Sequence, residues 1–124
     1  MILADTSIWI GIFRKGRFKS EMEDLITSDQ LCIHPFVIAE LACGSLPDRQ
    51  NTLGYLDRLT ALPIVRMADV RVMIEARGLW AKGIGLTDAQ LIASCLATQG
   101  TQIWTADSAL GRVTESIGVR AKVS

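Results

Sequence analysis

Short apolar runs of strand length alternate along this chain with longer stretches whose apolar positions recur every three or four residues, the spacing of one helical face. MILAD is the first such run and predicts a strand ending at Asp5; TSIWIGIF follows, with a Thr-Ser start suited to cap a first helix. Residues 14–20 (RKGRFKS) read as a basic connector, after which Phe18, Met22, Leu25 and Ile26 predict a second helix to about Ser28. A second strand is expected at Leu31–Ile33. Pro35 suits the first turn of a third helix, FVIAELAC, which stops near Gly44 and is apolar nearly all round. Leu53, Leu56, Leu59 and Leu62 mark a fourth helix over residues 47–62, and residues 64–67 are a short strand candidate. Asp69 is placed to cap a fifth helix over residues 69–83 with Val70, Met73 and Ile74 in its stripe. Beyond the Gly83 and Gly85 loop, Thr87 is placed to cap a sixth helix over residues 88–98, followed by a strand at 102–105 and a helix at 108–116. VRAKV closes the chain as an edge strand in which apolar and basic residues alternate.

Strands separated by helices imply βαβ units, so the expected fold class is α/β: a small, mostly parallel sheet of four to five strands with helices on both faces. The length, 124 residues, suits a single domain, and 49% hydrophobic with 21% charged residues excludes disorder as the main theme. Thirteen basic residues balance thirteen acidic ones, which argues against a basic coat for nucleic acid. Cys32, Cys43 and Cys95 form no CxxC pair and each sits in an apolar stretch, so they read as core residues in a reducing compartment. The N-terminus lacks the basic and long apolar regions of a signal peptide. Residues 89–106 are uncharged but are broken by Gln90, Gln99, Gly100 and Gln102, which points to a buried helix, a turn and a strand rather than a membrane span. A soluble, cytoplasmic protein is expected.

Ligands of open parallel sheets bind at the carboxyl ends of the strands. Asp5 and Asp107 stand at or just beyond such ends, Asp88 opens an apolar helix, and Glu40 is the one charge in another. Each aspartate also has a plain structural reading, as a helix cap or a charge favoured by the helix dipole. Glu40 is harder to explain so, because an unpaired charge buried in an apolar helix is costly. Two carboxylates about 4 Å apart repel by about 4 kcal/mol at an effective dielectric near 20, so a cluster would take up protons or recruit a cation. An all-oxygen donor set selects Mg²⁺ or Mn²⁺ over Zn²⁺. There is no GxSxG and no phosphate loop, Gly83-Ile84-Gly85 lacks a third glycine, and the position that would complete a DxD pair is Ser7. The single histidine, His34, precedes Pro35 at a helix entrance and reads as structural. Metal-assisted phosphodiester hydrolysis fits best.

MILADTSIWI, the Glu40 of FVIAEL, GIGLTDAQLIASCLATQG and QIWTADSAL together closely resemble the PIN domain, and within it the VapC-like ribonuclease toxins of VapBC toxin-antitoxin pairs. The resemblance covers almost the whole chain and keeps the order of the acidic motifs. It implies that Asp5, Glu40, Asp88 and Asp107 form an acidic quartet holding one or two Mg²⁺ or Mn²⁺ ions, with Ser7 and Thr105 as supporting hydroxyls. It also implies hydrolysis of RNA, a tRNA or rRNA among the substrates, to 5′-phosphate and 3′-hydroxyl ends. A homodimer, and a cognate VapB-like antitoxin lying along the active-site groove, are implied with it. Gly11, after IWI, departs from the polar or acidic residue common in such proteins.

RNA must also be held. Arg14, Lys15, Arg17 and Lys19 put four bases within six positions, and Arg112 is a weaker candidate of the same kind. Trp9, Trp80 and Trp104 each lie in apolar patterns and read as core or partner contacts. With the quartet drawn into one site, thirteen bases face nine acids elsewhere, so zero net charge conceals a separation rather than excluding RNA. Two other readings remain open: a catalytically silent PIN-like module whose acidic pocket takes a basic partner peptide, and a small metal-dependent phosphohydrolase.

Overall fold

Four short strands, β1 (Ile2–Ala4), β2 (Leu31–Ile33), β3 (Thr60–Ala61) and β4 (Gln102–Trp104), run parallel in the spatial order β3-β2-β1-β4 in the computed structural model, which describes residues 1–123. Ile2 pairs with Leu31 on one side and Gln102 on the other, which sets β1 at the centre of the register. All three residues of β2 are buried. Because successive strand residues point to opposite faces, both faces of the sheet are covered, as parallel connections through helices require. The expected α/β architecture is therefore present, with four strands.

The connections carry helices α1 (Thr6–Lys15), α2 (Lys19–Thr27), α3 (Pro35–Ala42), α4 (Arg49–Asp57), α5 (Met67–Arg77), α6 (Leu86–Ala97) and α7 (Ser108–Ser116). The core joins Leu3, Ile33 and Ile103 from the sheet to Ile8, Val37, Ile92 and Leu110 from the helices, all without exposure. Burying an aliphatic side chain of this kind contributes about 1.5–3 kcal/mol. Gly11 belongs to this packing: a Cβ there would lie 2.8 Å from Cε2 of Phe18, so its small size lets α1 meet the ring.

Several local expectations are corrected. The strand expected at 64–67 is absent; pairing occurs at Thr60–Ala61, continues as Leu62 N–H to the Ile33 carbonyl at 2.8 Å, and stops before Pro63. Val65 pairs with a side chain instead: its N–H donates to Gln90 Oε1 at 2.7 Å and its carbonyl accepts from Gln90 Nε2 at 3.0 Å. Helix α4 ends at Asp57 rather than continuing to 62, because the chain must extend for β3. Helix α5 starts at Met67, before the expected Asp69 cap, and ends at Gly78, whose φ of 63° is the left-handed stop that glycine accepts freely. Helix α6 begins at Leu86 with Gly85 rather than Thr87 as its N-terminal flanking residue. VRAKV makes a single bridge, Ile103 to Arg120, and not a strand.

Cys32 and Cys95 lie in the core, where burial pushes the thiols up to about 11 and about 12, but Cys43 is exposed at the end of α3. Trp9 and Trp104 are buried as expected; Trp80 is 60% exposed, because the helix meant to bury it has already ended. His34 caps α3. Its Nδ1 accepts from Phe36 N–H at 3.0 Å, so the proton sits on Nε2, 2.8 Å from Ser94 Oγ, which donates to the Pro63 carbonyl at 2.8 Å. Burial holds this imidazole down at about 4.

Candidate active site

The chain adds β2 and then β3 on one side of β1 and finally lays β4 on the other. The carboxyl ends of β1 and β4 therefore flank the point where the winding reverses, and open α/β sheets leave a binding crevice there. Asp5 directly follows β1, and Thr105 to Asp107 follow β4.

Asp5 is 4% exposed and joins the two strand ends. It caps α1 by accepting from Ile8 N–H at 3.2 Å, while Ser7 Oγ donates to Oδ1 and Thr105 Oγ1 donates to Oδ2. Both hydroxyls accept in turn from the segment after β4: Ala106 N–H meets Ser7 Oγ at 2.9 Å, and Asp107 N–H meets Thr105 Oγ1 at 3.0 Å. The carboxylate is thus fixed in orientation by donors on both sides. Burial raises its pKa, and the hydroxyl bonds work against that rise.

Asp88, in the first turn of α6, is half-buried and has one long backbone bond, from Gly85 N–H at 3.4 Å. Burial raises its pKa, and the negative fields of Asp107, Asp5 and Glu40 raise it further. Four carboxylates from four separate elements thus share one end of the sheet. Asp107 is exposed and caps α7, accepting from Leu110 N–H at 2.8 Å. The cap readings of Asp5 and Asp107 are correct, since each carboxylate accepts from a backbone N–H of the helix it starts.

Glu40 departs from expectation. The apolar helix α3 fully buries only Val37 and Leu41, whereas Ala39 and Glu40 are exposed, so Glu40 is not a buried charge. Thr6 Oγ1 donates to Glu40 Oε1 at 2.6 Å and ties α3 to the first turn of α1. In the sequence Thr6 marks only a helix start, because its partner lies 34 positions away and no local signal points to it.

Among the described residues, no three Asp, Glu, His or Cys side chains gather into a ready-made cation cage. The donor chemistry nevertheless fits a hard ion: every nearby ligand is oxygen, Asp5 is locked in orientation, and no Lys or Arg forms an ion pair with the four carboxylates among those residues. Mg²⁺ typically keeps several waters and takes only one or two carboxylates directly, so a looser ring is compatible with it.

The basic candidates divide between two places. Arg14 and Lys15 form the last turn of α1 rather than a loop, where positive charge is favoured by the helix dipole, and Lys19 opens α2. Arg14 lines a small hollow with Glu40, Phe13 and Leu46, which brings it beside the acidic end. Arg17 lies over the Phe18 ring, 4.7 Å from its centroid. Arg112 is on α7, in a separate groove with Arg77 and Lys82.

The PIN domain family profile matches residues 2–116. This chain belongs to the PIN domain family. Ribonuclease VapC32 of Mycobacterium tuberculosis, from strains CDC 1551 / Oshkosh and ATCC 25618 / H37Rv, is 36% identical over 119 residues, covering 96% of this chain and 94% of the relative. The resemblance to VapC-like PIN proteins read from the acidic motifs is borne out by both findings. No helix of this PIN domain, among the described residues, is long and apolar enough to cross a membrane.

Proposed function

We propose that this PIN domain is a divalent-metal-dependent endoribonuclease, the toxin of a toxin-antitoxin pair, with Asp5, Glu40, Asp88 and Asp107 as its catalytic and metal-holding carboxylates. The observation that carries the reading is a buried, hydroxyl-locked Asp5 at the β1/β4 reversal, with a half-buried Asp88 whose pKa is raised by burial and then by the fields of Asp107, Asp5 and Glu40. Such an arrangement is unfavourable in a protein without a cation, and perturbed carboxylates in a crevice are a mark of function. The name of the VapC32 relative supports RNA as the substrate.

Bound Mg²⁺ or Mn²⁺ would supply a Lewis acid for the scissile phosphate and a lowered pKa for the attacking water. The protein's part is orientation. Ser7 and Thr105 hold the Asp5 carboxylate against rotation, Thr6 holds Glu40 at the rim, and the first turns of α6 and α7 present Asp88 and Asp107. Products would carry 5′-phosphate and 3′-hydroxyl ends. Arg14 beside Glu40, Lys15 and Arg17 that follow it in the chain, and Arg112 on α7 are the proposed RNA contacts. A VapB-like antitoxin covering the groove, a homodimer, a cytoplasmic location and a single domain over the whole chain complete the reading.

The test is direct. Purified protein should cut tRNA in Mg²⁺ and stop in EDTA, and Asp5→Asn should abolish cutting while the protein stays folded. The open spacing of the acidic side chains favours one second reading, a silent module that binds a basic peptide. No cleavage and no Mn²⁺-induced rise in melting temperature, with tight binding of such a peptide, would establish that reading instead.

A further inference from the structure

A groove of about 350 Å³ lies between the end of α5 and the flank of α7. Arg77, Lys82 and Arg112 line it over a floor that includes Leu79 and Val113, and no acidic residue faces it. All three cations are exposed, and among the described residues none forms an ion pair. A molecule with no net charge has therefore gathered three uncompensated positive charges around one concavity, where low-dielectric walls focus the field outward.

Its location gives the charge a purpose. The segment from Gly78 to Gly85 walls the groove and then runs directly into Gly85, whose N–H meets Asp88. Midway, Gly83 approaches the first turn of α7 so closely that a Cβ on it would stand 3.3 Å from Ala109 Cβ. The loop thus links the basic groove to the first turn of α6, which carries Asp88, while α7 bears Arg112 on its flank and Asp107 at its cap. A polyanion brought to the acidic end meets repulsion there, so its neighbouring phosphates need cations along the path. Two guanidinium groups suit that task, since each can grip phosphate oxygens with paired donors.

We propose that the groove walled by Arg77, Lys82 and Arg112 is a sequence-independent subsite for the phosphate backbone of single-stranded RNA flanking the cleaved bond. It rests on the ribonuclease reading above and adds Arg77 and Lys82, which belong to no motif, to its substrate path. An acidic peptide is the competing occupant. Trp80 and Leu86 line an apolar hollow on the same loop, but the RNA is favoured because the loop runs from the groove into the first turn of α6 at Asp88, and α7, which bears Arg112, is capped by Asp107.

The experiment compares wild type with the exposed triple variant Arg77→Gln, Lys82→Gln, Arg112→Gln, using oligouridylate binding in EDTA over a range of salt. Each lost phosphate contact lowers the slope of log affinity against log salt by about 0.7, so the triple variant should lose about 2 in slope and roughly 100-fold in affinity near 0.1 M salt. In Mg²⁺, KM for a long RNA should rise while kcat at saturation holds. Lys82→Gln alone, on a loop, should show about a third of the slope change and guards against misfolding of the triple variant. Unchanged slope and affinity while wild type still cuts RNA would overturn the groove alone. Loss of poly-L-glutamate binding with RNA binding intact would assign the groove to an acidic peptide. A wild type that neither binds nor cuts RNA would overturn the ribonuclease reading itself.

Discussion

Helix α6 serves two polar clusters built on opposite terms. On its first turn, the half-buried Asp88 has one long hydrogen bond, and burial, then three other carboxylates, raise its affinity for protons. Further along, Gln90 and Ser94 point into the interior and close a network with His34, Val65 and Pro63 in which no charge is needed. His34, Gln90 and Ser94 have no exposure at all. The buried cluster is satisfied, neutral and rigid, and it holds the chain where a strand would otherwise have had to pair. The acidic cluster is left electrostatically incomplete, as the proposed cation and phosphate site requires and a cluster that only holds a fold together does not.

The largest expected separation between the two is in activity. Asp88→Asn should lower RNA cleavage on the order of 10³-fold, comparable to losing a principal electrostatic contact in other enzymes. It should leave the melting temperature equal or higher, because it removes charge that burial and its neighbours disfavour. A variant that unfolds, or that still cuts, would mean Asp88 belongs with the structural cluster.

Acid separates them next. Burial holds the His34 imidazole down at about 4 in the folded protein, against an ordinary 6.5, so below 6.5 the unfolded chain binds a proton that the native state refuses. Stability contributed by the neutral imidazole is full above pH 6.5 and is lost as pH falls toward 4, by up to about 3 kcal/mol. Asp5 and Asp88 act with the opposite sign, since their raised values let the native state take up protons first. Urea unfolding at stepped pH should show the decline, and His34→Asn should flatten it; an unchanged slope in that variant would remove His34 as its source.

The smallest effect tests the closed network alone. Ser94→Ala strands the His34 Nε2–H and the Pro63 carbonyl, at a cost of about 1–3 kcal/mol, while cleavage per folded molecule stays at the wild-type level. A selective fall in kcat measured on fully folded protein would show that the two clusters are coupled through α6.

Local chemistry made much of this legible in advance. Strands β1, β2 and β4 are short apolar runs, Pro35 and Gly44 bracket α3, and Asp5 and Asp107 sit where strand turns into helix. Where expectation failed, a distant partner had intervened. Residues 64–67 carry strand-like side chains, but Gln90 supplies the amide that satisfies Val65, so no strand is needed. Glu40 looked buried because its helix is apolar by count, yet α3 lies at the rim and Thr6 meets the carboxylate from another helix. Arg77 and Lys82 had no motif to announce them, and only the packing of the 78–85 loop against α7 collects them with Arg112.

By itself the sequence determined the identity and order of the carboxylates, the alternation of strands and helices, and the breaks set by glycine and proline, because each depends on residues within a few positions of one another. Tertiary structure decided which side of β1 receives β4, and so that Asp5 meets Thr105 across 100 positions; it also decided which helix faces solvent and where unpaired bases collect. Those outcomes follow from burial and long-range pairing. They settle only when every apolar face has found its cover, and a polar group's environment is whatever that packing leaves around it.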